Sequence, residues 1–146
     1  MFSTLVALVL SFAVSAQSTP QTADFFNSLG TNLRLDTAIN TGTAVLTSRA
    51  LADIAAQNVT VQVNVTKISG TVGGTITLLG SLDGVNFSAL RTVETQTALA
   101  TITATDATAS YQWRLSGNHF RFYRVSYAGT GTMSASISAL LYRGKL

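Results

Sequence analysis

His119 is the only histidine in the chain, set in Gly117-Asn118-His119-Phe120, and there is no cysteine. These two facts remove most site chemistry. A histidine-based metal cluster, a Cys-based zinc site, a thiol nucleophile and a disulfide framework are all excluded. A Ser/His/Asp triad would have to be built on His119 alone, and neither a nucleophile motif nor a lid segment accompanies it, so it reads as a solvated turn residue. The carboxylates Asp24, Asp36, Asp53, Asp83, Glu94 and Asp106 stand singly. Glycoside hydrolysis needs two of them at a set separation across a cleft, and no spacing here pairs any two. A calcium loop supplies several acidic oxygens close together, which leaves Asp83 as a turn residue. Gly70-Thr71-Val72-Gly73-Gly74 lacks the lysine and following helix of a phosphate loop. The expectation is a protein that is not an enzyme and carries no cofactor or metal.

Two stretches and one tryptophan remain as contact candidates. GSLDGVNF (80–87) places Asp83-Gly84 between apolar runs, a hairpin signal because glycine accepts the positive φ of a tight turn. Its tip would expose Asp83, Gly84 and Asn86. FRFYRVSY (120–127) is the densest aromatic and basic run. On a strand, Phe120, Phe122 and Arg124 share one face, while Arg121, Tyr123, Val125 and Tyr127 share the other. One face is expected to be core with an arginine closing its edge, the other sheet surface or subunit contact, with Arg121 and Tyr123 as candidate interaction residues. Trp113, on the same strand face as Tyr111, is a core or interface anchor and, if exposed, a sugar platform. Asn58, Asn64 and Asn86 head Asn-X-Ser/Thr triplets, which arise readily by chance in a Thr-rich chain.

The elements that must hold these residues are strands. Val59-Thr60-Val61-Gln62-Val63-Asn64-Val65-Thr66 alternates strictly, so four valines share one face and polar residues the other. Further strands are expected over 44–48, 75–81, 87–93, 99–104, 111–115, 120–127 and 132–142, with turns at Gly73-Gly74, Asp83-Gly84, Gly117-Asn118 and Gly129-Thr130-Gly131. About eight strands at this spacing predict an all-β antiparallel sandwich, jelly-roll or immunoglobulin-like, over residues 43–146. Residues 21–42 read as an extended connector and 47–56 as a short helical turn. The segments 65–84 and 125–144 echo one another as strand, Gly-Thr turn and long alternating strand, a plan that two hairpins of one sandwich would produce without duplication.

At 146 residues this is one domain, and only 10% of residues are charged against 47% hydrophobic. Nine basic against six acidic residues leave +3 without a basic stripe, which argues against nucleic acid. Residues 1–20 have a run of apolar residues from Leu5 to Val14, then Val14-Ser15-Ala16 with the small-residue spacing of a signal-peptidase site, but no Lys or Arg precedes Arg34. The segment is either a cleaved signal over residues 1–16, an apolar arm docking on a partner, or a membrane contact.

VTVQVNVTKISGTVGGTITLLGSLDGVNFSAL, followed by FRFYRVSYAGTGTMSASISALLYRGKL, resembles the small β-sandwich structural proteins of tailed bacteriophages, including phages of Bacteroidota and the crAss-like group. The shared pattern is a valine strand, a Gly-Thr turn, a GSxDGxxF/W hairpin, an aromatic YYRV strand and a closing GTGT strand ending in arginine. It covers roughly residues 59–143. The resemblance implies a virion component, such as a capsid decoration protein, head-fibre base or tail or neck accessory, that assembles as a homo-oligomer with other virion proteins. The alternative is a secreted or cell-surface carbohydrate-binding sandwich, with the Asp-Gly hairpin and Trp113 as the glycan contact.

Overall fold

The computed structural model describes residues 21–27, 35–51, 57–91, 99–118 and 120–145. The expected arm over residues 1–20, His119, and residues 52–56 of the expected helical turn lie outside them. Ten strands and no helix are described: β1 (Gln21–Asn27), β2 (Leu35–Ile39), β3 (Thr43–Ser48), β4 (Gln57–Gly70), β5 (Gly74–Ser81), β6 (Ser88–Ala89), β7 (Ile102–Thr103), β8 (Ala109–Asn118), β9 (Phe122–Gly129) and β10 (Met133–Lys145). All pairings are antiparallel.

One layer runs β8-β4-β10, with β2 and the start of β1 sharing the free edge of β10. The other runs β6-β5-β9-β3 and continues to the end of β1, with β7 also on β5. The first half of β1 bonds β10 and its second half bonds β3, so this strand stitches the two layers along one side. The all-β antiparallel sandwich expected from the alternation is therefore what the chain forms.

Residues 21–42, read as a connector, instead supply β1 and β2. Their mixed polarity has a physical cause: both are short side strands, and in β2 only Ala38 is deeply buried while Leu35 and Ile39 face outward. Among the described residues, the strands expected at 87–93 and 99–104 appear as β6 and β7, each paired with β5 over two residues, and residues 92–93 lie outside the described residues.

The valine prediction holds at full length. Val59, Val61, Val63 and Val65 are all essentially inaccessible. Each buried valine contributes about 1.5–3 kcal/mol relative to exposure. They face Ile76, Leu78, Tyr123, Val125 and Tyr127 of the opposite layer within one core cluster that also takes in Ala135, Ile137, Ala139 and Leu141 of β10.

The two echoing segments are not hairpins. β4 and β10 pair in one layer, β5 and β9 in the other, so the β4–β5 and β9–β10 connections are arches that cross from layer to layer. The arches lie side by side, bonded to each other by Thr71 N–H to Thr132 O and Thr130 N–H to Gly73 O, each 3.1 Å. Lys67 and Asp106 close the neighbouring loop at 2.8 Å, and Asp106 also accepts the Val72 amide at 2.6 Å. The Lys67 ammonium and then the Val72 amide hold the Asp106 carboxyl below its ordinary range.

Gly74 begins β5 at φ +132°, and a Cβ there would run into the Ala128 carbonyl oxygen of β9. Gly74→Ala is expected to destabilise the fold by about 2–3 kcal/mol, from backbone strain plus the clash with a ladder carbonyl. Urea unfolding of the two proteins checks this, with a lower midpoint and unchanged slope as the expected result.

Candidate functional site

The hairpin loop between β5 and β6 is built around one carboxylate. Asp83 Oδ1 accepts from Ser81 Oγ at 2.7 Å, Val85 N–H at 2.9 Å and Asn86 N–H at 2.8 Å, and Oδ2 accepts from Asn86 Nδ2 at 2.7 Å. Ser81 Oγ in turn accepts the Gly84 amide at 2.9 Å. Short polar side chains that bond backbone amides two or three residues on are the reason Asp and Ser favour turns. The Val85 amide, then the Asn86 amide groups and the Ser81 hydroxyl, hold the Asp83 carboxyl far below the usual carboxylate range. Gly84 takes φ +78° as its place in the turn anticipated, and a Cβ there would press on the Phe122 ring.

Asp83 and the Asn86 amide are consumed within the loop. What the tip offers outward is the pair Leu82 and Val85, 62% and 77% exposed. Next to it, the chain over 48–51 is clamped to the start of β9 by Leu51 N–H to Arg121 O at 2.8 Å and Tyr123 N–H to Ser48 Oγ at 2.9 Å. Arg121 and Arg49 stand exposed there. The Arg49 guanidinium lies over the Phe26 ring at 4.7 Å, and Arg124 lies over Phe87 at 3.7 Å while donating to Thr47 Oγ1.

Two candidate interaction residues are core instead. Trp113 is 6% exposed, pairs beside Val61, and donates its indole N–H to Ala100 O at 3.3 Å. Tyr123 is wholly buried, and burial pushes its phenol up to about 12 against the opposing pull of the Arg143 charge. Period-2 alternation places both correctly relative to their neighbours but cannot say which side is inward. The packing decides that Tyr123, Val125 and Tyr127 face the core, with Phe122 and Arg124 on the outside. Arg121, Asp83, Gly84 and Asn86 do lie at the surface.

A further surface feature was not singled out by residue type. On the outer face of the β2-β10-β4-β8 layer, Ser138, Asn64 and Ser110 stand abreast, then Leu140, Gln62 and Gln112, then Tyr142, Thr60 and Arg114. Side-chain amides and hydroxyls bond along and across the strands: Ser110 Oγ to Asn64 Oδ1 at 2.7 Å, Gln62 Nε2 to Asn64 Oδ1 at 3.0 Å and Gln112 Nε2 to Gln62 Oε1 at 3.2 Å. Leu35 and Ile39 of β2 and Leu140 and Tyr142 of β10 are each about half exposed on the same face, Tyr142 at 47%. The signal available in the sequence was the alternation Ser134-Ser136-Ser138-Leu140-Tyr142 against buried partners. Among the described residues no three acidic or histidine side chains converge as metal ligands.

The fold and this face together define an antiparallel β-sandwich with a broad, nearly uncharged outer sheet. No protein-family model and no curated protein matches the chain. Among solved structures it is similar to the K1 cleaved adhesin domain of Lys-gingipain from Porphyromonas gingivalis W83, at 10% identity and TM-score 0.52 over 88% of this chain and all of that one. It is also similar to a disulfide-linked pilus of Bacillus endospore appendages, at 20% identity and TM-score 0.42 over 95% and 99% of the two chains. The apo form of BiXyn10A CBM1 matches at 10% identity and TM-score 0.39 over 84% and 90%. At these identities the likeness to the adhesin domain concerns the fold alone.

Because its folded-state pKa is depressed below 3.8, ionised Asp83 contributes stability that is fully present above the unfolded value and is lost as pH falls through the folded one. Asp83→Asn keeps one acceptor but turns an NH2 toward Asn86. Its melting temperature should lie below wild type by a constant amount from neutral pH to about pH 4 and approach wild type in stronger acid. A gap that does not shrink in acid would show that the carboxylate charge is not what holds the loop.

Proposed function

We propose that this chain is a non-enzymatic structural module that assembles with further copies of itself through the outer face of its β2-β10-β4-β8 layer, as the virion β-sandwich proteins it resembles would. The observation that carries this reading is the composition of that face. Leu35, Ile39, Leu140 and Tyr142 are half exposed among Ser, Thr, Asn and Gln, with Arg114 the one charged side chain that β10, β4 and β8 place on the three rows from Ser138 to Tyr142. Two such faces bring few like charges together. Their hydroxyls and amides are already bonded to one another, which lowers the cost of removing them from water. A second copy presents the same chemistry, as an isologous contact requires.

A second reading is favoured by one observation on the same face. Tyr142, beside Thr60 and Arg114 and one row from Gln62 and Gln112, is an aromatic surface flanked by amides, the composition of a glycan-binding face. In that reading the protein is a secreted or surface module acting as a monomer.

Native mass spectrometry and light scattering separate the two. A dimer, or a larger assembly built from such dimers, reduced to monomer by Ile39→Lys with Leu140→Lys at unchanged thermal stability, is the expected result. A monomeric wild type that binds glycans and loses them with Tyr142→Ala would replace assembly with the second reading.

A further inference from the structure

The two layers are tied on one side and open on the other. β1 joins β10 to β3 on the tied side, and across from it the layers end at β5 and β8. The edge of β5 is taken up by β6 and β7. β8 runs for 10 residues and among the described residues pairs with β4 alone. Its backbone directions follow from the ladder. Lys67 N–H donates to Thr108 Oγ1 at 3.1 Å, so by alternation Val65, Val63, Val61 and Val59 turn their amides and carbonyls toward β8, where Ala109, Tyr111, Trp113 and Leu115 meet them. Ser110, Gln112, Arg114 and Ser116 therefore turn theirs outward, and among the described residues no backbone bond reaches them. The chain over 100–105 is joined to β8 through side chains of its inner face, Trp113 Nε1–H donating to Ala100 O and Thr105 N–H to Tyr111 Oη. Sheet edges are ordinarily blocked by a lysine, a proline, an inward-pointing charge, a bulge or brevity. Residues 109–115 have none of these. Arg114 is their one charge and lies on the outer face, and the register shift of the β4–β8 ladder falls beyond Leu115.

We infer that this edge pairs with the same edge of a second copy, antiparallel about a two-fold axis at Gln112, so that the β2-β10-β4-β8 layer continues from one molecule into the next. Charge and register select this partner. Centred on Gln112, the pairing sets each Arg114 opposite Ser110 of the other copy. Centred on Arg114 or Trp113, it would put the two arginines opposite or diagonal to one another, where like charges repel. The outer-face rows also run on. Gln112 Nε2 donates to Gln62 Oε1, and on the axis the Gln112 amide meets its symmetry mate, which extends that amide row across both molecules. An arbitrary extended peptide would supply the backbone bonds but not this match. One strand pair buries far less than the roughly 1,200 Å² of a stable interface, so in isolation the contact is transient. Its role is to join dimers formed through the outer face into a larger assembly. In that role it rests on the assembly reading, whereas the pairing itself does not.

The chain has no cysteine, so a single introduced thiol reports the pairing. Gln112→Cys places two thiols across the axis at the roughly 5.5 Å Cα separation of a hydrogen-bonded pair, within the range a disulfide spans. The full chain carrying it is treated with oxidised glutathione, alone and combined with Ile39→Lys and Leu140→Lys, beside a Ser116→Cys control whose two thiols the pairing holds well apart. Unfolding curves matching wild type show the fold intact. Gln112→Cys is expected to form a covalent dimer about tenfold faster than Ser116→Cys in both backgrounds, because pairing raises the effective thiol concentration. Ser110→Cys mixed with Arg114→Cys should cross-link faster than either alone, as this register requires. Equal rates for Gln112→Cys and Ser116→Cys would overturn the pairing. Loss of the fast reaction on adding the two lysines would also overturn it and attribute the cross-link to the outer face. Preferred capture of a cysteine-bearing peptide of alternating Val and Thr would overturn it in favour of an extended segment of another protein. A native dimer that the two lysines dissolve, with no fast cross-link, leaves the assembly reading standing and sinks the edge pairing alone.

Discussion

The arrangement depends on two arches bonded to each other. At Gly70–Gly74 and Gly129–Met133 the chain passes twice from one layer to the other, and the crossings are tied by reciprocal backbone bonds. Each arch therefore fixes the register of two long ladders at once, β4 against β10 and β5 against β9. A slip by one residue in either ladder would turn its buried valines or tyrosines to water, so the register is strongly specified. Gly74 is where the constraint is tightest, since the ladder carbonyl of Ala128 occupies the space a side chain would need.

With register set, the outer surfaces follow. The β2-β10-β4-β8 layer carries hydroxyl and amide side chains that bond to one another, while the β5-β9-β3 layer carries Arg124 stacked on Phe87, with Arg49 on Phe26 beside its end. The two faces of one sandwich are thus chemically different, although each strand taken alone shows only alternation. One layer offers a dehydratable plane, and the β5–β6 loop offers the apolar tips Leu82 and Val85.

Much of the fold was legible from residues alone, and the misreadings share a cause. The valine alternation of β4 and the glycines at the turns located the long central strands because those strands are buried on one side along their whole length. β2 went unread because it is an edge strand with Ala38 its one deeply buried residue, and β1 because its bonds are divided between β10 and β3. The β4–β5 and β9–β10 turns read as hairpins because a glycine turn between two alternating runs looks the same whether the runs pair or pack face to face. Trp113 and Tyr123 were candidates by residue type, and their burial is a matter of which face meets the opposite layer.

What the amino-acid sequence determined by itself is the strand content, the alternation that makes an antiparallel sandwich, and the Asp83-Gly84 turn, whose bonds all fall within Ser81–Asn86. These depend on interactions between residues close along the chain or on a period-2 pattern. Only the tertiary structure decided that Leu140 and Tyr142 lie beside Gln62 and Thr60, and that Leu82 and Val85 share an end with Arg49 and Arg121. Those neighbours are brought together by cross-strand register and by arches between layers, and both are set by burying one face of every strand at once.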